Sequence, residues 1–367
     1  MMNDLGVYVH IPFCEKRCHY CDFTALVARD DEIDRYLEAL AKELLGFQSL
    51  LSERLITTLY VGGGTPSRLS LSQTEKLLQL LEPYTGKLRE FTIEANPESV
   101  TADKVGLWAD YGVDRVSLGL QSSDAGWLKT LGRIHSAERV DEAVGLVRER
   151  IDSINLDLIY GLSPGDQTYL RSLDAILSLA PQHVSIYELE VYEHRPLAGM
   201  LTELVDSDES FEQFHRLRRK LEAAGFHRYE VSNFSLPGYE AKHNRRYWDR
   251  ADTLGVGLGA HSLIGRRRFN NTTELPRYLA GDYIEQSESL SSDDILIECL
   301  MLGLRQLKGI NYRDLLREHP QRSDLIDQYI QRQVALDRLE LSGNVLRPTR
   351  IGLDLLDTVV LDFLSLL

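Results

Sequence analysis

CEKRCHYC, residues 14–21, places Cys14, Cys18 and Cys21 in one short stretch, and the chain offers only one more cysteine, Cys299. Thiolates are soft ligands suited to iron–sulfur clusters or zinc. A structural zinc site normally closes four ligands, and no fourth thiol is near. His10 and His19 could complete a Cys₃His set, but both lie inside or against the same loop, where reach is awkward. Three thiolates on a four-iron cubane would instead leave one iron open, and an open iron is a substrate site.

The cysteines follow VYVHI, residues 7–11, the first of six apolar, β-branched runs. The others are 56–61, 91–95, 113–118, 154–159 and 183–187, and all read as buried strands. Helical patterns at 31–52, 72–83, 101–111, 136–150, 166–179 and 208–224 fill the gaps. Ser72 with Glu75 has the spacing of a capping box. Alternation of this kind predicts an α/β fold with a parallel sheet, here a partial (β/α)₆ TIM-like barrel with its chemistry at the C-terminal strand ends. Gly62-Gly63-Gly64-Thr65-Pro66 falls at such an end. Glycines there let the backbone approach a ligand and expose N–H groups to a carboxylate or phosphate, and alone they equally fit a tight strand-to-helix turn. Beyond about residue 275 the pattern changes to helices at 293–307, 311–318 and 322–339, a strand at 341–347 and a last helix over 350–365. The expected division is 1–275 for the barrel and 276–367 for a small, mostly helical, winged-helix-like C-terminal domain.

Hydrophobic residues make up 43% of the chain and the formal net charge is −15. That charge argues against nucleic acid, which demands a dense basic surface. The basic clusters at Arg216, Arg218, Arg219 and Lys220 and at Arg266–Arg268 read as solvated faces. No apolar run reaches the ~18–20 residues of a membrane span, and MMNDLGVYVHIPF lacks the basic-then-apolar order of a signal peptide. A cytoplasmic protein with reduced thiols and no stable membrane insertion is expected, with a homodimer left open.

The cysteine triad and triple glycine together resemble the radical S-adenosylmethionine (SAM) superfamily. The resemblance implies a [4Fe-4S] cluster on Cys14, Cys18 and Cys21 whose open iron is chelated by SAM. YVHIPFC (8–14), GGGTP (62–66), EANPE (94–98), GLQS (119–122), LGRIH (131–135), NLDLIYGL (155–162) and GLGAHS (257–262) are similar to its coproporphyrinogen-dehydrogenase-like branch, the HemN/HemW family, over nearly the whole chain. That likeness implies SAM contacts from Tyr8, Tyr20, Gly63, Gly64, Thr65, Glu94, Gln121, Arg133 and Asp157, with His261 lining the pocket.

The family holds two activities. One is a haem chaperone that passes haem to acceptor haemoproteins, respiratory enzymes among the candidates. The other is oxygen-independent coproporphyrinogen III oxidase, an oxidative decarboxylation by a 5′-deoxyadenosyl radical. The oxidase pattern has a fourth cysteine two residues after the third, where this chain has Phe23, and an N-terminal extension, whereas this chain starts thirteen residues before Cys14. HNRRYW, residues 243–248, matches the HNxxYW signature of the chaperone branch. The resemblance implies haem binding by His243, Asn244, Tyr247 and Trp248. A histidine can ligate the iron, aromatic faces suit a porphyrin, and Arg245 and Arg246 could neutralise propionates. The expectation is the haem chaperone, with the oxidase as the alternative and a zinc-binding structural protein third.

Overall fold

The computed structural model describes residues 4–366. Six parallel strands form where the apolar runs place them: β1 (Asp4–Ile11), β2 (Leu55–Gly63), β3 (Glu90–Ala95), β4 (Arg115–Gln121), β5 (Ser153–Tyr160) and β6 (His183–Glu188). Side-chain alternation explains why. In β1, Leu5, Val7, Val9 and Ile11 are fully buried in the main apolar core. Tyr8 and His10 turn to the other face, where Tyr8 meets the ring of Tyr60 on β2 at 5.9 Å.

Six further strands follow: β7 (His227–Arg228), β8 (Asn233–Ser235), β9 (Thr253–Val256), β10 (His261–Ile264), β11 (Arg267–Asn271) and β12 (Ile284–Ser289). They extend the sheet at both edges to the order β12-β11-β10-β9-β1-β2-β3-β4-β5-β6-β8-β7. β9 runs parallel to β1, while β10–β12 pair antiparallel. These strands are short, and every residue of β12 is exposed. An apolar period cannot announce a strand that buries no apolar face.

Four expectations shift. The first helix ends at Gly46 and a second spans Gln48–Glu53. The capping box sits at Ser70 and Gln73: Ser70 Oγ accepts from Gln73 N at 3.2 Å, and Gln73 Oε1 accepts from Ser70 N at 3.0 Å. The boundary expected at residue 275 falls inside the sheet unit, because β12 runs to Ser289 and Tyr278 stacks on Tyr36 at 5.0 Å. A separate core begins at Leu296 and gathers Leu300, Ile326, Tyr329 and Phe363. Its three-stranded sheet is antiparallel throughout, so the strand expected at 341–347 is a hairpin of Leu339–Ser342 with Val345–Pro348. Among the described residues no helix is long and apolar enough to cross a membrane.

Glu43 ties the first helix to the far side of β9. Its buried carboxylate accepts from Gly257 N (2.8 Å), Asn271 Nδ2 (2.6 Å) and Tyr278 Oη (2.5 Å). Removing it strands three buried donors at roughly 1–3 kcal/mol each. Glu43→Ala is expected to lose about 3 kcal/mol or more in denaturant unfolding, while Glu38→Ala, on the exposed face of the same helix, stays within about 0.5 kcal/mol. Equal losses in the two variants would show that the network carries no special weight.

Candidate functional site

The loop after β1 is shaped by main-chain bonds. Cys14 N donates to Leu26 O (2.8 Å), Thr65 N to Phe13 O (2.9 Å) and His19 N to Leu131 O (2.9 Å). These bonds set Cys14, Cys18 and Cys21 along one cavity at the C-terminal strand ends. Tyr20, Gly63, Gly64, Thr65, Glu94, Gln121, Arg133 and Asp157 line the same cavity. All the cysteines are free thiols. Among the described residues no three His, Cys, Asp or Glu converge on a single-ion position, so the thiols share a cavity without closing on one point. His10 and His19 do not supply a fourth ligand. His10 bonds Tyr8 Oη and Thr24 O through its two ring nitrogens (3.0 and 2.8 Å), and His19 Nδ1 bonds Thr130 O (2.8 Å).

This donor set fits an iron–sulfur cluster, and two of the sulfurs already accept hydrogen bonds. Thr65 Oγ1 donates to Cys14 Sγ at 3.4 Å and Arg133 Nη1 to Cys18 Sγ at 3.6 Å. Burial pushes the Cys14 thiol up to about 11, with the Thr65 bond pulling the other way. The cavity also fits an amino acid-bearing ligand. Arg133 Nε is buried without a partner, a donor left for an anion. Glu94 Oε1 accepts from Tyr60 Oη (2.6 Å) and Oε2 from Gly63 N (2.9 Å), yet burial raises its carboxyl to about 7. Asp157 is likewise raised by burial, against the bond it accepts from Asn155 Nδ2 at 2.7 Å.

Gly63 and Gly64 of the triple glycine line the cavity and are also engaged within the fold. The N–H groups of Gly63 and Gly64 are already donated to Glu94 and to Ile11 O. Its role is clearance. Gly63 holds φ 116°, and a Cβ there would sit 2.6 Å from the His10 ring; one on Gly64 would lie 2.8 Å from the Pro12 backbone. Gln121 takes φ 66° without being glycine, at a register shift between β4 and β5. That strain, held where the cavity needs the side chain, is of a kind found at functional sites.

Two expected residues lie elsewhere. Tyr8 faces the barrel interior below the cavity, bonded to His10. His261 is exposed and borders a separate hollow with Arg268, Asn270 and Gln286. Asn96 and Ser117 line the main cavity and were missed. Asn96 lies inside EANPE, so its signal was on the page, whereas Ser117 lacks any.

The residues of HNRRYW lie away from the cysteine cavity. The segment is the helix Lys242–Trp248, which closes the N-terminal end of the barrel. Glu90 caps it by accepting from Lys242 N (2.7 Å) and His243 N (3.0 Å). His243 is fully buried, with Nδ1 bonded to Thr58 Oγ1 (2.9 Å) and Nε2 to Tyr247 Oη (3.0 Å). Both ring nitrogens are therefore engaged within the fold, and burial holds the imidazole down to about 3. Arg246 is committed to Asp4, Thr57 and Asp252 O. Trp248 lies under the Arg305 guanidinium at 5.5 Å, and Asn244 is only half-buried beside it in the same helix.

Glu94 generates a pH signature. Its carboxyl stands at about 7 against an ordinary 4.5, so the neutral form stabilises the fold below the ordinary value, and that contribution is lost as pH rises through about 7. The stability of wild type relative to Glu94→Gln is expected to fall over that window in thermal melts across pH 4 to 8. Parallel melting curves would remove Glu94 as a raised, buried acid.

The Radical SAM superfamily model matches residues 8–173. A protein named heme chaperone HemW from Bacillus subtilis (strain 168) is 32% identical over 83% of this chain and 84% of its own length. The HemW of Lactococcus lactis subsp. lactis (strain IL1403) is 36% identical over 83% of this chain and 82% of its own, and that of Escherichia coli (strain K12) is 35% identical over 83% of each. Among solved structures, coproporphyrinogen III oxidase (HemN) from Escherichia coli superposes with TM-score 0.87 at 23% identity, covering 100% of this chain and 91% of that one, which establishes the shared barrel and C-terminal architecture. The chain therefore belongs to the HemW family within the radical SAM superfamily.

Proposed function

We propose that this protein is a cytoplasmic haem chaperone that carries a SAM-coordinated [4Fe-4S] cluster and hands haem to acceptor haemoproteins. The observation that carries the reading is its likeness, over 83% of its length, to proteins named heme chaperone. The cavity supports the cluster half. Cys14, Cys18 and Cys21 would hold the cluster, leaving one iron for SAM. When bound, the pair would supply one-electron reduction of a sulfonium. Arg133 Nε, buried and unpartnered, is suited to the ligand's carboxylate. Glu94, once ionised, accepts an ammonium, so binding of an amine there tightens as pH rises through about 7. Gln121, at the end of β4, and Asp157, within β5, offer polar contacts.

The oxidase alternative is disfavoured by Phe23. Where the oxidase pattern has a further thiol, this chain presents a phenyl ring that is 69% exposed at the cavity rim. The deciding experiment uses one anaerobic sample for two assays. Hemin titration is expected to saturate near one haem per chain, and the reconstituted protein with SAM and reductant is expected to leave coproporphyrinogen III unconverted. Robust decarboxylation with no hemin binding would reverse the choice.

The position of His243 gives a second outcome. His243→Ala is expected to destabilise the fold by about 2 kcal/mol or more, through unpaired Thr58 and Tyr247 and a new cavity. The folded fraction should retain the Soret band of bound haem. A folded variant that loses the Soret band would restore His243 as the iron ligand.

A further inference from the structure

Two different loops reach two different cysteines, and one side chain stands between them. Thr65, after β2, donates to Cys14 Sγ, and Arg133, in the LGRIH loop, donates to Cys18 Sγ. Asn96 Nδ2 donates to Thr65 Oγ1 at 3.1 Å, while Asn96 Oδ1 accepts from Arg133 Nη2 at 2.8 Å. A threonine hydroxyl has a single proton. With the Asn96 amide donating into its oxygen, that proton is left for the sulfur. Arg133 is a rigid planar fork. With Nη2 held by Asn96 and by Gly119 O at 2.7 Å, Nη1 is turned to Cys18.

Asn96 is itself locked in place. Its N–H donates to Ser67 Oγ (3.0 Å), its carbonyl accepts from Ser99 Oγ (3.0 Å), and the two serine hydroxyls meet at 2.6 Å. The amide cannot flip without setting its NH₂ against the guanidinium.

We propose that Asn96 is a positioning residue for the cluster: it fixes hydrogen bonds on two of the three thiolate ligands at once and thereby raises the cluster's reduction potential. Hydrogen bonds to ligand sulfur withdraw charge and favour the reduced, more negative state. This rests on the reading of Cys14, Cys18 and Cys21 as the cluster ligands.

The test is a redox titration followed by electron paramagnetic resonance on anaerobically reconstituted wild type, Asn96→Leu, Thr65→Val and the double variant. Both single variants are expected to move the midpoint to more negative potential, Asn96→Leu further because it breaks both arms. The double variant is expected to match Asn96→Leu alone, since the Thr65 arm runs through Asn96. Should Asn96→Leu fail to load a cluster, Asn96→Asp carries the test. It keeps the side chain's size and its acceptor for Arg133 but lacks the amide donor, so the hydroxyl proton turns to the carboxylate and the exchangeable-proton coupling from the Cys14 side is lost while that from the Cys18 side stays. A loaded cluster with unmoved potential and unchanged proton couplings overturns the proposal alone, as does a double variant that shifts by the sum of the singles. A wild-type protein that never assembles a cluster overturns the ligand reading as well.

Discussion

Main-chain hydrogen bonds from Cys14 N to Leu26 O, Thr65 N to Phe13 O, His19 N to Leu131 O and Leu197 N to His19 O pin the cysteine loop onto itself and onto the chain that follows β2, β4 and β6. The rest of the site depends on this constraint. A loop held through its backbone leaves its side chains free, so the three sulfurs need contribute nothing to the fold. It also fixes which strand ends face the sulfurs, and hence which polar groups can share the cavity. The loop after β6 adds side-chain bonds as well, with Arg195 and His194 both bonded to Asp22 at 2.7 and 2.8 Å.

Beneath the cavity the barrel interior is a polar column. Glu94 is held by Tyr60, whose ring lies 5.2 Å from the His243 ring. His243 in turn engages Thr58 and Tyr247. Each polar group left unpaired in such an interior would cost about 1–3 kcal/mol, and HNRRYW satisfies the polar groups of the barrel floor. The helix that carries it also meets the second core: it packs on the helix Ser292–Gly303, and Arg250, just beyond it, pairs with Glu298 at 2.7 Å. Cavity, floor and C-terminal unit thus form one continuous structure.

Much of this was legible in the residues. β1 to β6 bury apolar side chains on one face, and that periodicity is visible. β7, β8 and β10 to β12 are short or polar and are defined by their neighbours, so no local pattern exposed them. The cysteine loop, Thr65, Glu94, Gln121, Arg133 and Asp157 converge on one cavity as motif spacing implied, because each lies in the C-terminal half of a parallel strand or in the connection that follows it. Burial is what the motifs could not convey. Nothing in HNRRYW reveals that both His243 nitrogens are occupied, or that Arg246 is spent on Asp4. For Asn96 the motif EANPE marked the position but not the role, which lies in linking Thr65 to Arg133, two residues far apart in sequence.

The central claim is that three thiols and the strand ends around them form one compartment for a cluster and its ligand. Iron and sulfide analysis of the anaerobically reconstituted protein, with electron paramagnetic resonance before and after SAM, tests it most directly. The account predicts about four irons per chain and a reduced-cluster spectrum that changes when SAM is added. Stoichiometric zinc in place of iron, or a cluster spectrum indifferent to SAM, would contradict it.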